Sequence, residues 1–391
     1  MVGGVNDEIY VASETGALRR VMMHRPGGEI NNIVPQNLNA ALFEDIPYLK
    51  DMQQEHDAFA QQIRKRGAEV IYVEDMLTEI LTDEKNKAKI LADIIGEDIL
   101  GSDEIEARIK SYLCSLNAPA VVKCLIEGIR VTDVQELKTK ESLSDYMEQM
   151  FMFHLMPLPN FYFMRDAASV IGGGVSIHTM KNTIRLREAR ILHAIYDYHP
   201  MFQSAALLYD NNLQTSTIEG GDILVLNEAA VAVGCSQRTD ASGIQILAEN
   251  IFAQNDKLRH VLAVQLPNNR AFMHLDTVFT MVDCDKFTIY PLIDANLNVV
   301  DITRGKDGAL AYRRMDSLQG ALEYVLELDA VQLIGTGGRD AVTAAREQWN
   351  DSTNTFALAP GVVVAYDRNE VANEILDKNG IEVIAIRGSE L

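Results

Sequence analysis

Cysteine is scarce in this chain of 391 residues, and long apolar runs are absent. The four cysteines form no CxxC pair and no histidine pair has metal-ligand spacing, so neither a disulfide framework nor a structural metal is expected. No apolar stretch reaches the roughly 18 residues of a membrane-spanning helix. Residues 1–8 also lack the charged start and apolar run of a signal peptide. These absences predict a reduced, cytoplasmic protein.

Positive charge is the second deficit. The chain has 35 Lys and Arg residues against 56 Asp and Glu residues, which gives a net charge of −21. Since no stripe of Lys or Arg occurs, neither nucleic acid nor an anionic membrane surface is an expected partner. A negative field attracts small cations, although solubility alone also explains such a charge. The hydrophobic share of 47% is enough for a large core, in one domain or two.

A pattern of two strands, a helix and a further strand recurs along the chain. Each predicted helix ends at a polar or Gly stop and is followed by a β-branched strand, as at Gly67 and Gly380. The two-strand stretches are predicted at 18–24, 168–178, 222–235, 275–290 and 355–366. The sequence therefore predicts an α/β protein of five loose ββαβ units.

The interval after the first unit is too long for the repeat, and the excess lies in residues 77–150. Apolar residues follow the helical period at 90–99, at 105–116 and at 143–151. We therefore predict a helical insertion at 77–150 in a main domain of 1–76 and 151–391. Cys114 and Cys124 lie on or near these apolar faces and are interpreted as packing residues rather than nucleophiles.

Three motifs place acids among apolar residues, where a carboxylate is disfavoured unless it is paired. In the first, Asp166 follows Arg165, and a structural ion pair at a strand end explains this pair as well as function does. Asn160 could likewise be a turn residue and Phe163 a core residue. In the second, Gly220 and Gly221 separate two acids and let the backbone turn sharply or approach a ligand closely, or else form a β-bulge with solvated acids. Function is favoured modestly for this motif.

The third motif, His274-Leu275-Asp276, is the most informative. If it is a strand, its histidine and its carboxylate face the same side and form an acid–base pair. The alternative is a satisfied core histidine. Arg185, Arg187 and Arg238 are candidates for binding a carboxylate, although each alone is more typical of a surface arginine.

Asp166, Glu219, Asp222 and Asp276 together would make an acidic pocket with one histidine. A guanidinium group fits such a pocket because it is planar, permanently charged and pairs with carboxylates in a bidentate manner. Attack on its carbon would need a strong nucleophile, usually a thiolate, and a proton shuttle.

With these motifs the sequence resembles the arginine deiminases of the pentein superfamily, which hydrolyse L-arginine to L-citrulline and ammonia. The resemblance covers essentially the whole chain. It rests on the segments Ser13-Glu14-Thr15-Gly16, His24-Arg25-Pro26-Gly27, Leu42-Phe43-Glu44-Asp45-Ile46, 160–166, 219–222, Ser236-Gln237-Arg238-Thr239, 272–283 and Arg346-Glu347-Gln348-Trp349-Asn350-Asp351. It implies a five-bladed α/β propeller of ββαβ modules with a helical insertion, and a Cys-bound amidino (thiouronium) intermediate.

The resemblance also implies a role for each candidate residue, and it implies no cofactor and no metal. The catalytic residues would be His274, Glu219, Asp166 and Asp276. The substrate L-arginine would be bound by Asn160, Phe163, Arg185, Asp222 and Arg238.

The nucleophile is where the sequence departs from the family. Its members continue past the position of Leu391 into a loop that carries another substrate arginine and the reactive cysteine. Cys235 and Cys284 lie outside that motif and are poor substitutes. We expect that the true polypeptide is longer, and that this chain alone binds arginine without turning it over.

Three alternatives stay open at this point. Agmatine deiminases and amidinotransferases share the superfamily, but Arg185 and Arg238 would have no carboxylate to bind in agmatine. A protein that binds arginine without catalysis would explain why the reactive cysteine of the family is not found in this sequence. An interaction module acting through the insertion has no specific support. The sequence does not fix the oligomeric state, although a homo-oligomer is compatible with the apolar content.

Overall fold

The computed structural model describes residues 9–100, 103–137, 152–293, 297–338 and 340–390. These residues form a mixed α/β fold in which the sheets are small, with two to five strands each. The strands are β1 (Arg20–Met23), β2 (Glu69–Tyr72), β3 (Ile129–Arg130), β4 (Phe153–Leu155), β5 (Ala168–Ile171), β6 (Gly174–Ile177), β7 (Ala206–Tyr209), β8 (Ile223–Asn227), β9 (Ala230–Cys235), β10 (His260–Gln265), β11 (Phe279–Met281), β12 (Lys286–Ile289), β13 (Asn298–Arg304), β14 (Leu310–Met315), β15 (Gln332–Gly335), β16 (Phe356–Ala359), β17 (Val362–Tyr366) and β18 (Glu382–Ile386).

Helices connect most of these strands. They are α1 (Leu38–Ala41), α2 (Leu49–Lys65), α3 (Val73–Leu81), α4 (Glu84–Ile95), α5 (Asp103–Ser115), α6 (Ala118–Glu127), α7 (Met164–Ala167), α8 (Leu186–Tyr198), α9 (Ala241–Gln254), α10 (Leu318–Leu326), α11 (Ala341–Trp349) and α12 (Glu370–Lys378). No helix of the described residues is long and apolar enough to cross a membrane.

The ββαβ pattern is present in four of the five predicted units. In the unit formed by β5, β6, α8 and β7, for example, β6 pairs antiparallel with β5 and parallel with β7. The stops at Gly67 and Gly380 have φ values of 85° and 82°, a left-handed conformation that only glycine adopts without strain. The last predicted helix, 370–378, has the predicted bounds.

Two features of the sheets differ from the prediction. The stretch 18–24 forms one strand, β1, which pairs parallel with β2, so the prediction of two strands there is wrong. Seven residues are too few for two strands and a turn. The hairpin of β13 and β14 was not predicted; β13 pairs antiparallel with β10 and extends that sheet to five strands.

The segment from α3 to α6 is helical, as predicted, but its first helix begins at Val73. The predicted apolar face at 143–151 lies outside the described residues. The buried side chains of these helices belong to one apolar cluster with those of β6 and α8, for instance Leu125 with Val175 and Ile195. Cys124 packs against this cluster, whereas Cys114 is exposed, contrary to its interpretation as a core residue.

Arg187 belongs to this packing and not to the site. It is 2% exposed, and its Nε atom donates a hydrogen bond to the carbonyl of Leu125 at 3.1 Å. Its Nη1 atom lies 3.4 Å from a carboxylate oxygen of Asp98. The suggestion that Arg187 binds a substrate carboxylate is therefore wrong, because the guanidinium points into the helical segment.

Candidate active site

A single cavity of about 1650 Å³ contains most of the predicted site residues. Its wall includes residues from five of the six described sheets, all except the pair of β3 and β4. They include Met22, Val170, Leu224, Met281 and Val364. The cavity is also lined by Asn160, Phe163, Asp166, Arg185, Arg238, His274 and Asp276.

The double glycine of the second motif allows two chain segments to meet. A Cβ atom on Gly221 would lie 2.6 Å from Nδ1 of His274, which is closer than any side chain tolerates. The predicted sharp turn is present at Gly220–Asp222, and the group that the backbone approaches closely is His274 of the protein itself. Glu219 stands just before the tight turn Gly220–Asp222, which leads directly into β8.

His274 and Asp276 lie in a loop before β11, so the prediction of a strand at this motif is wrong. The loop is held instead by hydrogen bonds that two of its backbone amides donate. The amide of Leu275 donates to Oδ1 of Asp222 at 2.9 Å, and the amide of Asp276 donates to the carbonyl of Gly221 at 3.0 Å. Both side chains still line the cavity, because this loop turns them toward it.

The imidazole of His274 lies between two carboxylates. Its Nε2 atom is 2.8 Å from Oε2 of Glu219, and its Nδ1 atom is 3.9 Å from Oδ1 of Asp166. Burial alone would lower the pKa of His274, but Asp166, Glu219 and Asp222 together raise it to about 10. The ring is therefore an imidazolium at neutral pH, which can donate a proton.

Asp276 lines the cavity and has one unpaired carboxylate oxygen. Its Oδ1 atom is buried and has no hydrogen-bond partner among the described residues, and its Oδ2 atom is 3.8 Å from Nε of Arg165. Burial raises the pKa of Asp276 to about 7 against the lowering effects of His274 and Arg165. A buried oxygen without a donor costs free energy, which a cationic ligand would recover.

Asp166 is paired with a cation of the protein itself. Its Oδ2 atom accepts a hydrogen bond from Nη1 of Arg185 at 2.6 Å. Burial would raise the pKa of Asp166, but Arg185 and His274 lower it. The other edge of the Arg185 guanidinium contacts both carboxylate oxygens of Glu188, with Nη2 2.8 Å from Oε2.

Sequence reasoning missed Glu188, which is only 1% exposed. The available signal was its spacing of three residues from Arg185, which places both side chains on one face at the start of α8. An acid on a buried helical face needs a cation, and Arg185 is the cation that this spacing offers.

The remaining predicted substrate contacts lie along the cavity wall. Asn160 is buried, and its Nδ2 atom donates to the carbonyl of Ala41 at 2.8 Å. Phe163 is 44% exposed, and its ring centroid lies 4.0 Å from that of Tyr162. The Nη1 atom of Arg238 is 3.5 Å from Oε2 of Glu219.

Glu219 and Asp222 lie behind the wall, and both are 0% exposed. The Oε1 atom of Glu219 accepts from the amide of Lys181 at 2.9 Å, while its other oxygen contacts His274. Asp222 accepts from Ser236 through Oδ2 at 2.7 Å in addition to its bond with Leu275. With both oxygens occupied, the geometry of Asp222 favours a positioning role over the direct substrate contact that the resemblance implies.

Comparison with known proteins assigns the chain to a family. A family model described as arginine deiminase matches residues 39–391. The chain belongs to the arginine deiminase family. The arginine deiminase of Bacillus cytotoxicus is 44% identical over 388 residues, which cover 98% of this chain and 94% of that protein. The arginine deiminase of Listeria welshimeri is 43% identical over 387 residues, which also cover 98% of this chain and 94% of that protein.

Two solved structures resemble the fold of this arginine deiminase family member at low sequence identity. The DDAH from Pseudomonas aeruginosa, solved as a mutant complexed with citrulline, has a TM-score of 0.51 and 11% identity, with 95% of this chain and 93% of that chain covered. The amidinotransferase SxtG from Microseira wollei has a TM-score of 0.50 and 13% identity, with 97% of this chain and 91% of that chain covered. These likenesses show that the chain shares its fold with these two proteins.

Asp166, Glu219 and His274 are also the described residues that come nearest to a metal site. One ligand atom from each lies within 4.8 Å of the others. The fit to a metal is poor, because Asp166 already binds Arg185 and an imidazolium has no free lone pair.

The four cysteines all lie in described parts of the chain, and none lines this cavity. Cys114 and Cys284 are exposed. Cys235 is half-buried, and burial together with Asp222 raises the pKa of its thiol, which disfavours a thiolate. None of the four therefore has the geometry of an attacking group in this cavity.

Two further groups at the cavity were not predicted. Glu14 accepts a hydrogen bond from Nη1 of Arg165 at 3.0 Å, whereas Asp166 pairs with Arg185, so the suggested ion pair of Arg165 with Asp166 is wrong. Asp351 also lines the cavity, and burial raises the pKa of its carboxyl to about 6 against the effects of Arg368 and His274. Both acids lie in segments on which the family resemblance rests, but the resemblance assigned neither acid a role.

Proposed function

We propose that this chain binds L-arginine in the cavity and, with a nucleophilic thiol, hydrolyses it to L-citrulline and ammonia. One observation carries the proposal: Asp276, whose Oδ1 atom has no hydrogen-bond partner among the described residues, lines the same cavity as the imidazolium of His274 and the carboxylate of Asp166. The family membership supports the same reaction.

The guanidinium would be held by Asp166 and Asp276. A guanidinium has five N–H donors in a plane, and a carboxylate on each side satisfies them in a fixed orientation. Asn160, Arg185 and Arg238 would bind the α-carboxylate, and Phe163 would pack on the aliphatic part of the substrate. In this scheme Asp222 contributes by holding the His274 loop.

His274 would move protons in both halves of the reaction. A thiolate adds to the guanidinium carbon, and His274 donates a proton to one NH2 group, which leaves as ammonia. The result is an amidino group bound to sulfur, a thiouronium. The neutral His274 then takes a proton from water, the oxygen adds to the same carbon, and the carbon–sulfur bond breaks to release citrulline. Glu219 would stabilise the imidazolium form, which is present before the first half and restored in the second.

The thiol has to come from residues other than the four cysteines, since none of these lines the cavity. We propose that it belongs to a C-terminal tail of the natural polypeptide. The test compares citrulline release by the natural protein and by residues 1–391, together with the intact mass of the natural protein. We expect a mass above 43.4 kDa, turnover by the natural protein and arginine binding alone by the shorter chain.

A natural mass of 43.4 kDa without turnover would favour the second candidate, a silent arginine-binding protein, which the placement of the cysteines supports. Substantial citrulline release by residues 1–391 would contradict the assignment of the thiol.

The architecture around the site is also a proposal. We infer five blades around the cavity, with residues 1–76 and 151–391 as the propeller and 77–150 as the insertion. It is supported by the contribution of five of the six described sheets to the cavity wall. A cytoplasmic location and L-arginine as the small-molecule partner complete the proposed function.

A further inference from the structure

The segment 387–390, which follows β18, is tied to helix α2 by one buried carboxylate. Glu55 of α2 is only 3% exposed. Its Oε1 atom accepts hydrogen bonds from the amide and from Oγ of Ser389, at 2.9 and 2.6 Å, and its Oε2 atom accepts from the amide of Glu390 at 2.9 Å. The side chain of Arg387 adds a cation, with Nε 3.5 Å from Oε1. Several donors of one short segment therefore converge on Glu55.

This segment lies against the wall of the cavity. Ile386, directly before it, lines the cavity, and so does Tyr366 of β17. A Cβ atom on Gly388 would lie 2.0 Å from Cδ1 of Tyr366, so the backbone lies against that ring with no room for a side chain. On the side of α2, the amide of Tyr48 donates to Oε2 of Glu390 at 2.8 Å. The segment is thus held between the start of α2 and the ring of Tyr366.

The hydrogen bonds of Glu55 define one path of the backbone. The two amides belong to consecutive residues, so both carboxylate oxygens are engaged only when the chain turns in this way. Such charge-assisted hydrogen bonds are roughly twice as strong as neutral ones. Replacing a buried ionic group by well-packed apolar residues is often neutral or stabilising, so stability alone does not account for an acid at this position.

We propose that Glu55 is a positioning residue that fixes the starting point of the C-terminal tail at the cavity wall. The inference rests on the proposed function, in which that tail carries the thiol. A tail that starts from a fixed point beside Tyr366 presents its thiol in fewer orientations than a tail that starts from a free segment. Glu55 acts on the substrate only through the tail, because its own side chain does not line the cavity.

The test separates turnover from binding in Glu55→Gln. In the full natural polypeptide we expect the single-turnover rate of citrulline formation to fall by about 10–10²-fold, because a displacement of roughly 1 Å is enough for such a loss. In the 391-residue chain we expect the calorimetric Kd for L-arginine to stay unchanged, since the carboxylates that would hold the guanidinium are kept. Hydrogen exchange should become faster at the amides of Ser389 and Glu390, which donate to Glu55.

The matched control is Asp57→Asn, on the same helix. The carboxylate of Asp57 pairs with Arg25 at the surface, so this variant should keep the turnover rate, the Kd and the exchange rates of the unmodified protein.

Ser389→Ala is the milder variant, because it removes the hydrogen bond of Oγ with Glu55 and keeps the two backbone hydrogen bonds. We expect a smaller loss of turnover than in Glu55→Gln. In the double variant Glu55→Gln/Ser389→Ala the turnover should equal that of Glu55→Gln, since the two substitutions weaken the same contact and their effects are not additive.

Thermal unfolding verifies that each variant is folded. Normal turnover in folded Glu55→Gln, or a loss of L-arginine affinity as large as the loss of turnover, would overturn the positioning role and leave the proposed function standing. If Glu55→Gln does not fold, normal turnover in Ser389→Ala overturns the positioning role instead. If the unmodified natural polypeptide forms no citrulline, the proposed function itself fails.

Discussion

Two buried histidines of this chain have nearly the same chemical surroundings. Near the end of β1, His24 contacts Glu74 through Nδ1 at 2.7 Å and Glu29 through Nε2 at 3.1 Å. Burial would lower the pKa of His24, but Glu29 and Glu74 raise it to about 9. His274, with its pKa of about 10, is likewise held by two carboxylates.

The two clusters differ in what they leave free. Both ring nitrogens of His24 are within 3.1 Å of a carboxylate, and the ring does not line the cavity. His274 has one close contact, keeps 3.9 Å between Nδ1 and Asp166, and lines the cavity. A histidine with two acids is therefore not evidence of catalysis by itself. Contact with the cavity and a ring nitrogen without a close partner distinguish the candidate site from the His24 clamp, which His24 forms with Glu29 and Glu74.

Replacing each histidine in turn gives the sharpest test of this comparison. In His274→Gln we expect citrulline formation by the full natural polypeptide to fall about 10²–10⁴-fold, because the positioned proton donor is lost. His24→Gln should change turnover little at temperatures where it is folded. Single-turnover citrulline formation measures both. Equal losses of turnover in the two folded variants would contradict the distinction.

The second prediction concerns stability. His24→Gln should lower the free energy of unfolding by about 3 kcal/mol, because Glu29 and Glu74 lose a buried cation. Urea unfolding at pH 7 measures this change. The control is His260→Gln, since His260 pairs with a single acid, Asp301, and its side chain is more exposed. A smaller effect of His24→Gln than of the control would show that the clamp contributes little.

The third prediction tests the unpaired oxygen of Asp276. Asp276→Asn should weaken L-arginine binding by about 2 kcal/mol, which is about thirtyfold, because a charge-assisted contact with the guanidinium is lost. Calorimetry on the 391-residue chain measures this change. Asp57→Asn, at a carboxylate that pairs with Arg25 on the surface, is the control and should bind normally. Unchanged binding in Asp276→Asn would remove Asp276 from the site.

The smallest expected effect is the pH dependence of the His24 clamp. Since the folded pKa of about 9 lies above the unfolded value of 6.5, the contribution of His24 is fully present below pH 6.5 and is lost as the pH rises through 9. The stability difference between the unmodified chain and His24→Gln should therefore shrink by at least about 1 kcal/mol between pH 6.5 and 9. Urea unfolding across that range measures it, and a difference that grows with pH would contradict the assignment.

The parts of the fold that could be predicted are those with local causes. Helix ends at Gly67 and Gly380 follow from backbone freedom, and the close approach at Gly221 follows from the missing side chain. The hairpin of β13 and β14 is a local pairing that sequence reasoning overlooked, whereas the pairing of β13 with β10 is a long-range contact that no local pattern encodes.

The same division holds for the site. The acids and His274 stand out because charge in apolar surroundings is unusual, whereas their mutual distances come from the tertiary fold. The loop at His274 was predicted as a strand because side chains of alternating type were taken for a strand period; the hydrogen bond from Leu275 to Asp222 holds it in another shape. Glu188 was overlooked because its partner Arg185 had been assigned to the substrate alone.

The apolar cluster shared by the helical segment and its neighbouring unit has an evolutionary consequence. Leu125 is packed in one cluster with Val175 and Ile195, so the helices cover a surface that would otherwise face water. A descendant that discarded the helices would need new polar residues on β6 and α8 at the same time. Gain or loss of this segment would therefore have to be accompanied by changes on β6 and α8. Deleting the helices without those changes would expose the apolar cluster and lower the solubility of the protein.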